Sequence, residues 1–422
     1  MEIQTVSKIL STFNFILIIV GYPIITTLFL PDLNVKADGD VTVTRLVTVP
    51  FRATVLAVSL IIIIVHWRDR WRIDTPTFLY FLFWFLLSFR MVYDLKIRTD
   101  IYIDPSVVEN QFLYAYLVCL IPAIAVFRSA RYIDLEWAFR GILGGYLLLV
   151  PILAINSPIL FSTEDTGGRR LFGNIAMNPI SLGRAGTIMI LLAIFWINRT
   201  KHVWYKIAAS LLILAGIFVL LRSASRSPLF ALVVCISLYL ISRSKSPVFS
   251  AFLAFTIIVV FFLTKDLLFN VVENISPVMA SRLSLSGNVS EFDEISNGRF
   301  TLFGAATEKF LSHPVLGDTY TIVFPDGRVS YSHNIVLDAF MGLGFFGGLM
   351  LIFILIYALW KSCQMIYHGH PHCWIGLIYI CYLTIHMFSG CFYQADVLNS
   401  LLVLIFAMGR HGFSKNVRLV FS

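Results

Sequence analysis

A histidine that ends a polar loop and opens a long apolar run is placed for proton transfer at a membrane surface. Ser332-His333-Asn334 does this here, with an apolar run from Ile335 to Trp360 directly after it. A serine before a helix is a good N-cap, its hydroxyl accepting from the free backbone N–H groups of the first turn. Those N–H groups and the helix dipole attract an anion. The same field favours neutral imidazole, the form a general base needs. His333 is the candidate base; a hydrogen-bonded structural histidine is the alternative. Asp338, one turn beyond Asn334 on the same helix face, can bond within the bundle or orient the neighbours of His333.

The second group able to do chemistry is a set of arginines. Arg222 and Arg226 sit in Leu221-Arg222-Ser223-Ala224-Ser225-Arg226-Ser227-Pro228, a tight connection between two apolar runs. Arg169 and Arg170 precede another run, Arg184 lies inside one, and Arg299 opens an amphipathic segment. An unpaired guanidinium near the membrane is costly, so something anionic must compensate it. A planar fork suits phosphate oxygens, and several such forks near a helix N-terminus make a pyrophosphate clamp. Pairing with Glu164, Asp165, Glu291, Asp293 or Glu294, or snorkelling to lipid headgroups, is the competing explanation.

The elements that must position these groups are membrane helices. The chain is 58% hydrophobic and 13% charged, with mean hydropathy +0.83; soluble chains carry about 25% charged residues. Apolar runs fall near 9–30, 46–65, 77–93, 111–127, 141–160, 180–197, 207–221, 228–242, 248–264, 334–360, 373–391 and 398–409. Each fits a helix crossing a ~30 Å hydrocarbon core. No alternating strand pattern appears, and a backbone in lipid must close its hydrogen bonds internally. The sequence predicts an all-α, polytopic integral membrane protein of about twelve spans. The first run is too long for a signal-peptide core and reads as a retained span.

Every second connection is basic: Arg68, Arg70 and Arg72; Arg128, Arg131 and Arg140; Arg199, Lys201 and Lys206; Arg243 and Lys245; Arg410, Lys415 and Arg418. The positive-inside rule then puts both termini in the cytoplasm and the large loop, 265–333, outside it. The arginines singled out above fall on that outer side. Net charge +8 is largely this topological bias, and nothing points to nucleic acid. Of six cysteines, none lies in the large loop, which argues against a disulfide framework. His368, His370, His372 and Cys373 are of metal-ligand type but read as a polar turn.

Within the large loop, Arg299 to Leu311 puts Phe300, Phe303, Ala306 and Phe310 at helical spacing. Residues 320–324 and 328–331 read as a short hairpin around Pro325-Asp326-Gly327. With no long linker or repeat, residues 1–422 read as one transmembrane domain, with 265–333 as a loop within it.

Several of these segments resemble a known family. His333-Asn334, nine residues, Gly344, two residues and Gly347 is similar to the H-N-x9-G-x-x-G signature of bacterial O-antigen ligases and Wzy-type O-antigen polymerases. Gly298-Arg299-Phe300 and His313-Pro314-Val315-Leu316-Gly317 look like the elements that precede it in polymerase-like members. Ser225-Arg226 and the stretch Gly168–Gly173 with Asn178-Pro179 resemble two earlier elements, with Ser227 standing where the family carries glycine. The resemblance covers about 168–350, the ligase- or polymerase-like core region.

The resemblance implies a GT-C-like membrane glycosyltransferase of the bacterial inner membrane, lipopolysaccharide or polysaccharide biosynthesis, and an active site facing the periplasm. Its donor would be an undecaprenyl-pyrophosphate-linked oligosaccharide, with no cofactor or metal. A chain-length regulator and a flippase would be its accessory partners. His333, Arg226 and Arg299 would be catalytic; Arg222, Arg169, Arg170, Arg184 and Asn334 would bind substrate. The Gly298-Arg299 and His313-Pro314 elements favour a polymerase, which extends a lipid-linked glycan, over a ligase, which passes it to lipid A–core. A secondary transporter is the reading from another class. Transporters, however, gather polar groups at the midplane of related halves, whereas these charges gather at span ends.

Overall fold

The computed structural model describes residues 3–30, 41–69, 73–98, 105–157, 160, 171, 174, 176–243, 252, 275–283, 299–324 and 329–410. The expected span 248–264, Arg169, Arg170, the five carboxylates named above and the turn 325–328 lie outside these residues or almost wholly so. The described chain is an all-α membrane bundle. Among the described residues eight helices are long and apolar enough to cross a bilayer: α1 (Gln4–Phe29), α2 (Thr44–Val65), α3 (Thr75–Lys96), α4 (Val108–Tyr132), α5 (Leu135–Asn156), α6 (Pro179–Ile197), α7 (Val203–Arg222) and, later in the chain, α11 (Ile335–Tyr367). Shorter apolar helices are α8 (Arg226–Arg243), α12 (Cys373–Ser389) and α13 (Asp396–Gly409). Two further helices, α9 (Pro277–Leu283) and α10 (Arg299–Ser312), lie between α8 and α11. Eleven of the twelve predicted runs therefore correspond to described helices.

Local chemistry explains the departures from straight helix. In α1 and α4 a wider turn, Leu17–Gly21 and Ala115–Leu120, comes just before Pro23 and Pro122. A proline ring clashes with the carbonyl four residues back and offers no N–H, and an extra residue in the turn relieves both problems. Helices α6 and α7 pack backbone to backbone: a Cβ on Gly186 would lie 2.6 Å from the carbonyl oxygen of Gly216. Small residues allow such close approach where lipid supplies no hydrophobic drive between helices. Asn399 of α13 accepts from Tyr80 Oη (2.9 Å) and Trp84 Nε1 (3.4 Å) and donates to two backbone carbonyls, so this buried amide ties α3 to α13.

The segment before α11 carries α10 and a two-stranded hairpin, β1 (Ile322–Val323) paired with β2 (Val329–Ser330). Both elements were expected. The buried face of α10, however, is Leu302 and Ala306, packed with Ile322 and Met341. Phe300, assigned to the apolar face from spacing, is 57% exposed. Ala306 is buried as the spacing predicts and Phe310 packs on Phe340 of α11 (5.1 Å), so it is at the first turn that Leu302 takes the buried place in Phe300's stead.

Helix α11 is broken at Gly344, whose φ of 67° and ψ of −163° suit only glycine. Two backbone bonds fill the break: Phe345 N donates to Pro314 O (2.7 Å) and Asp318 N to Met341 O (2.8 Å). In a continuous helix Phe345 and Met341 would bond each other. Here the loop His313–Gly317 is inserted between them. A Cβ on Gly344 would fall 2.3 Å from Val315 O, and one on Gly317 (φ 75°) 2.5 Å from Gly342 C. Asp318 then pairs with Arg98 (2.8 Å) and Lys309 (2.9 Å), fixing the loop to the end of α3 and to α10. Those two cations hold its carboxyl below the usual range against the opposing effect of burial.

Gly344→Ala is expected to abolish this packing. Gly369→Ala is the control: its φ is also positive (63°), but a Cβ there meets nothing within 4 Å. The control should lose about 1–2 kcal/mol from left-handed strain alone, and Gly344→Ala should unfold far earlier in a thermal melt of detergent-purified protein. Equal melting shifts would mean the inserted loop does not hold the break.

Candidate functional site

The approach to α11 is built around His333. Asn334 is the N-cap: its Oδ1 accepts from Val336 N (2.9 Å) and Leu337 N (3.0 Å), and its Nδ2 donates to Met387 O of α12 (3.0 Å). This corrects the expectation that Ser332 caps the helix. The chain turns through a left-handed residue at His333 (φ 61°), which folds Ser332 back instead of stacking it under the first turn. Ser332 Oγ then accepts from Asn334 N (3.1 Å), and Ser332 N donates to Asp338 Oδ1 (2.8 Å). Positive φ at a non-glycine residue costs about 1–2 kcal/mol. The cap and the Asp338 bond hold His333 in it from both sides, a pattern common where a side chain has work to do.

The imidazole of His333 lies against the ring of Tyr331, with centroids 4.4 Å apart. Its Nδ1 is buried and has no hydrogen-bond partner among the described residues. Burial, with the nearby Arg299 guanidinium adding to it, lowers its pKa to about 4. The ring is neutral at pH 7, as expected, but through burial and Arg299 more than through the helix field.

Arg226 and Arg299 are the first residues of α8 and α10. A terminal nitrogen of Arg299 donates to Ser389 Oγ (2.8 Å), and Ser389 Oγ lies 3.3 Å from Ser227 Oγ. Burial lowers the pKa of Arg299, and the charge of Arg226 adds to that lowering against the opposing effect of Tyr331. Arg226 Nε and one terminal nitrogen are buried with no hydrogen-bond partner among the described residues. Two mutually repelling guanidinium groups and a neutral imidazole thus share one place. An oxyanion there would satisfy the open N–H groups of Arg226 and offset the repulsion between the two charges.

The other sequence candidates fall elsewhere. Arg222 is buried and donates to Leu160 O (3.1 Å) and Ile275 O (3.2 Å), which joins the end of α7 to two neighbouring segments. Arg184 stacks on Tyr382 (4.7 Å) in the wall of a separate cavity. Asn334 is occupied by its cap and by Met387. Sequence reading missed Tyr331 and Ser389. Tyr331 lies two residues before His333, a signal available from spacing alone; Ser389 ends an apolar run and gave none.

The neutral state of His333 is checked by its reaction with diethyl pyrocarbonate, which modifies only neutral imidazole, followed by peptide mass spectrometry. The rate should stay nearly constant from about pH 7 to 5, where an ordinary imidazole with pKa about 6.5 would slow roughly 25-fold. Arg299→Gln removes the cation that opposes protonation, so the rate should then begin to fall at higher pH. An ordinary titration in the unsubstituted protein would contradict the buried, cation-flanked geometry.

No curated protein matches the chain. Residues 209–352 match a family model described as O-antigen ligase, a stretch that runs from α7 through Arg226, Arg299 and His333 to the broken part of α11. The match supports a membrane glycosyltransferase-like function of the ligase or polymerase type. Over that stretch, about a third of its length, the chain is similar to the O-antigen ligase and polymerase family.

Proposed function

We propose that the protein is a polysaccharide repeat-unit polymerase that transfers an undecaprenyl-pyrophosphate-linked glycan onto an incoming lipid-linked repeat at the outer face of the bacterial inner membrane. The observation that carries this reading is the Arg226–Arg299 pair beside a neutral His333. The acceptor hydroxyl oxygen bonds to C1 of the donor glycan as the bond from C1 to the diphosphate breaks. The electron pair leaves with the diphosphate, which the two guanidinium groups neutralise, and the hydroxyl proton passes to His333. Tyr331 packs the imidazole in place, and burial with the Arg299 charge keeps it unprotonated before substrate arrives. The family model's description favours one other reading, an O-antigen ligase with the same donor and lipid A–core as acceptor. The polymerase is preferred for the sequence elements around Arg299 and Pro314.

General-base help is worth about 10²- to 10⁴-fold. His333→Gln is expected to lose turnover on that scale while still binding lipid-linked donor. Arg226→Ala and Arg299→Ala should each abolish or strongly cut transfer, and lysine should rescue only partly because it lacks the bidentate fork. With His333 near pKa 4 in the free protein, kcat/KM should hold as pH falls and drop only near that value. A bound diphosphate offsets Arg299 and raises the imidazole pKa, so the acid limb of kcat should lie at higher pH than that of kcat/KM. Coincident limbs, or a His333→Gln variant with normal turnover, would remove His333 as base.

Glycan profiles of the gene deletion separate the two acceptors. A lost polymerase leaves single repeats on the lipid A–core, whereas a lost ligase leaves none.

A further inference from the structure

A cavity of about 620 Å³ opens beside the candidate site, within the size range of small-ligand pockets. Tyr331 and Ser389 form part of its wall. The same Tyr331 packs on His333, and the same Ser389 takes the hydrogen bond from Arg299. The cavity therefore shares a partition with the Arg226–Arg299–His333 cluster but contains none of those three residues.

Its wall is cationic. Arg52 of α2 lies over the rings of Tyr114 (4.7 Å) and Tyr22 (5.6 Å), and Arg184 of α6 over Tyr382 (4.7 Å). Arg45 adds a third charge, against the single carboxylate of Asp396. Neither Arg52 nor Arg184 makes an ion pair with a carboxylate among the described residues. Tyr22 Oη takes a hydrogen bond from Arg52, and Asp396 offers its one negative charge to both Arg52 and Arg184; two guanidinium charges inside spans are expensive unless further negative charge answers them. Around the arginines the wall carries side-chain amides, including Gln111 and Gln394. Amide groups bond sugar hydroxyls, and aromatic faces cover sugar rings.

We propose that this cavity is a second anion site, which seats a glycan bearing a phosphate or carboxylate group. Arg52 and Arg184 hold the anion, and the tyrosine and amide wall holds the sugar rings. That the glycan is the second substrate of the transfer rests on the function proposed above; the binding site itself does not.

The test is direct binding to purified full-length protein in nanodiscs, in an Arg226→Gln, Arg299→Gln background that removes the neighbouring clamp. Two probes separate the sources of the anion: inorganic pyrophosphate for a lipid-linker diphosphate, and a hyaluronan tetrasaccharide for a carboxylate carried by the sugar. At least one should bind, and Arg52→Gln or Arg184→Gln should weaken it about 10-fold or more, the scale of a charged hydrogen bond. Arg52→Lys should restore part of the loss. Ser181→Trp, which narrows the cavity with both arginines kept, should weaken the tetrasaccharide even if a glutamine variant fails to fold. Binding of neither probe, or unchanged affinity in all these variants at normal size-exclusion profile, overturns the proposal. The readout needs no turnover, so its failure leaves the transfer reading standing, and inactive His333 or Arg299 variants leave this one standing.

Discussion

Everything around the candidate site depends on one backbone exchange. Helix α11 gives up its own Phe345–Met341 bond and takes Pro314 and Asp318 as replacement partners. A buried unpaired peptide group in or near lipid costs several kcal/mol, so a broken helix is stable only while the inserted loop fills both vacancies. That coupling sets where α10 and the hairpin lie, because α10 ends at Ser312 and the hairpin begins four residues after Asp318. Arg299 at one end of α10 and His333 beyond the hairpin are thereby referred to the same point on α11.

The cost of the site is electrostatic. Arg226 and Arg299 are held close enough to oppose one another, and Arg299 also opposes protonation of His333. Each arginine stands at the first residue of its helix and is only partly buried, which limits the cost of desolvating it. Ser389 takes one N–H of Arg299, and the open N–H groups of Arg226 are what an entering negative charge would meet. The same arrangement suits the diphosphate and the free base of the function proposed above, two requirements met by one pair of charges.

Membrane architecture was legible in the sequence because lipid imposes a simple demand: each crossing needs a long apolar run, and the runs from 9–30 to 398–409 declare themselves. The hairpin and α10 were legible from alternation and helical spacing. The capping residue was misassigned because serine and asparagine both suit the position, and only the left-handed turn at His333 decides for Asn334. The face of α10 was displaced because spacing gives a stripe, while the partner surface chooses where on the stripe contact falls. Arg222 looked like a clamp member since its use of the Leu160 and Ile275 carbonyls depends on segments far away in sequence. Arg52 went unnoticed because one charge inside 46–65 scarcely changes the hydropathy of the run. His313-Pro314…Gly317 was noticed for its resemblance; the structure adds that its main chain is what the broken helix uses.

The joint between loop and helix is made of main-chain atoms only, and this has a consequence for how such chains can diverge. Val315 and Leu316, at 58% and 76% exposed, sit within the joint without contributing a side-chain bond to it. Gly344 contributes the lack of a Cβ, and Gly317 adds to the same lack a carbonyl that accepts from Arg90 of α3 (3.3 Å). Mutational drift at the two middle positions therefore leaves the register of the loop untouched, while drift at either glycine has no neutral path. The joint constrains a lineage at a pair of points, through what is absent there, and leaves the residues between them free to follow the local membrane.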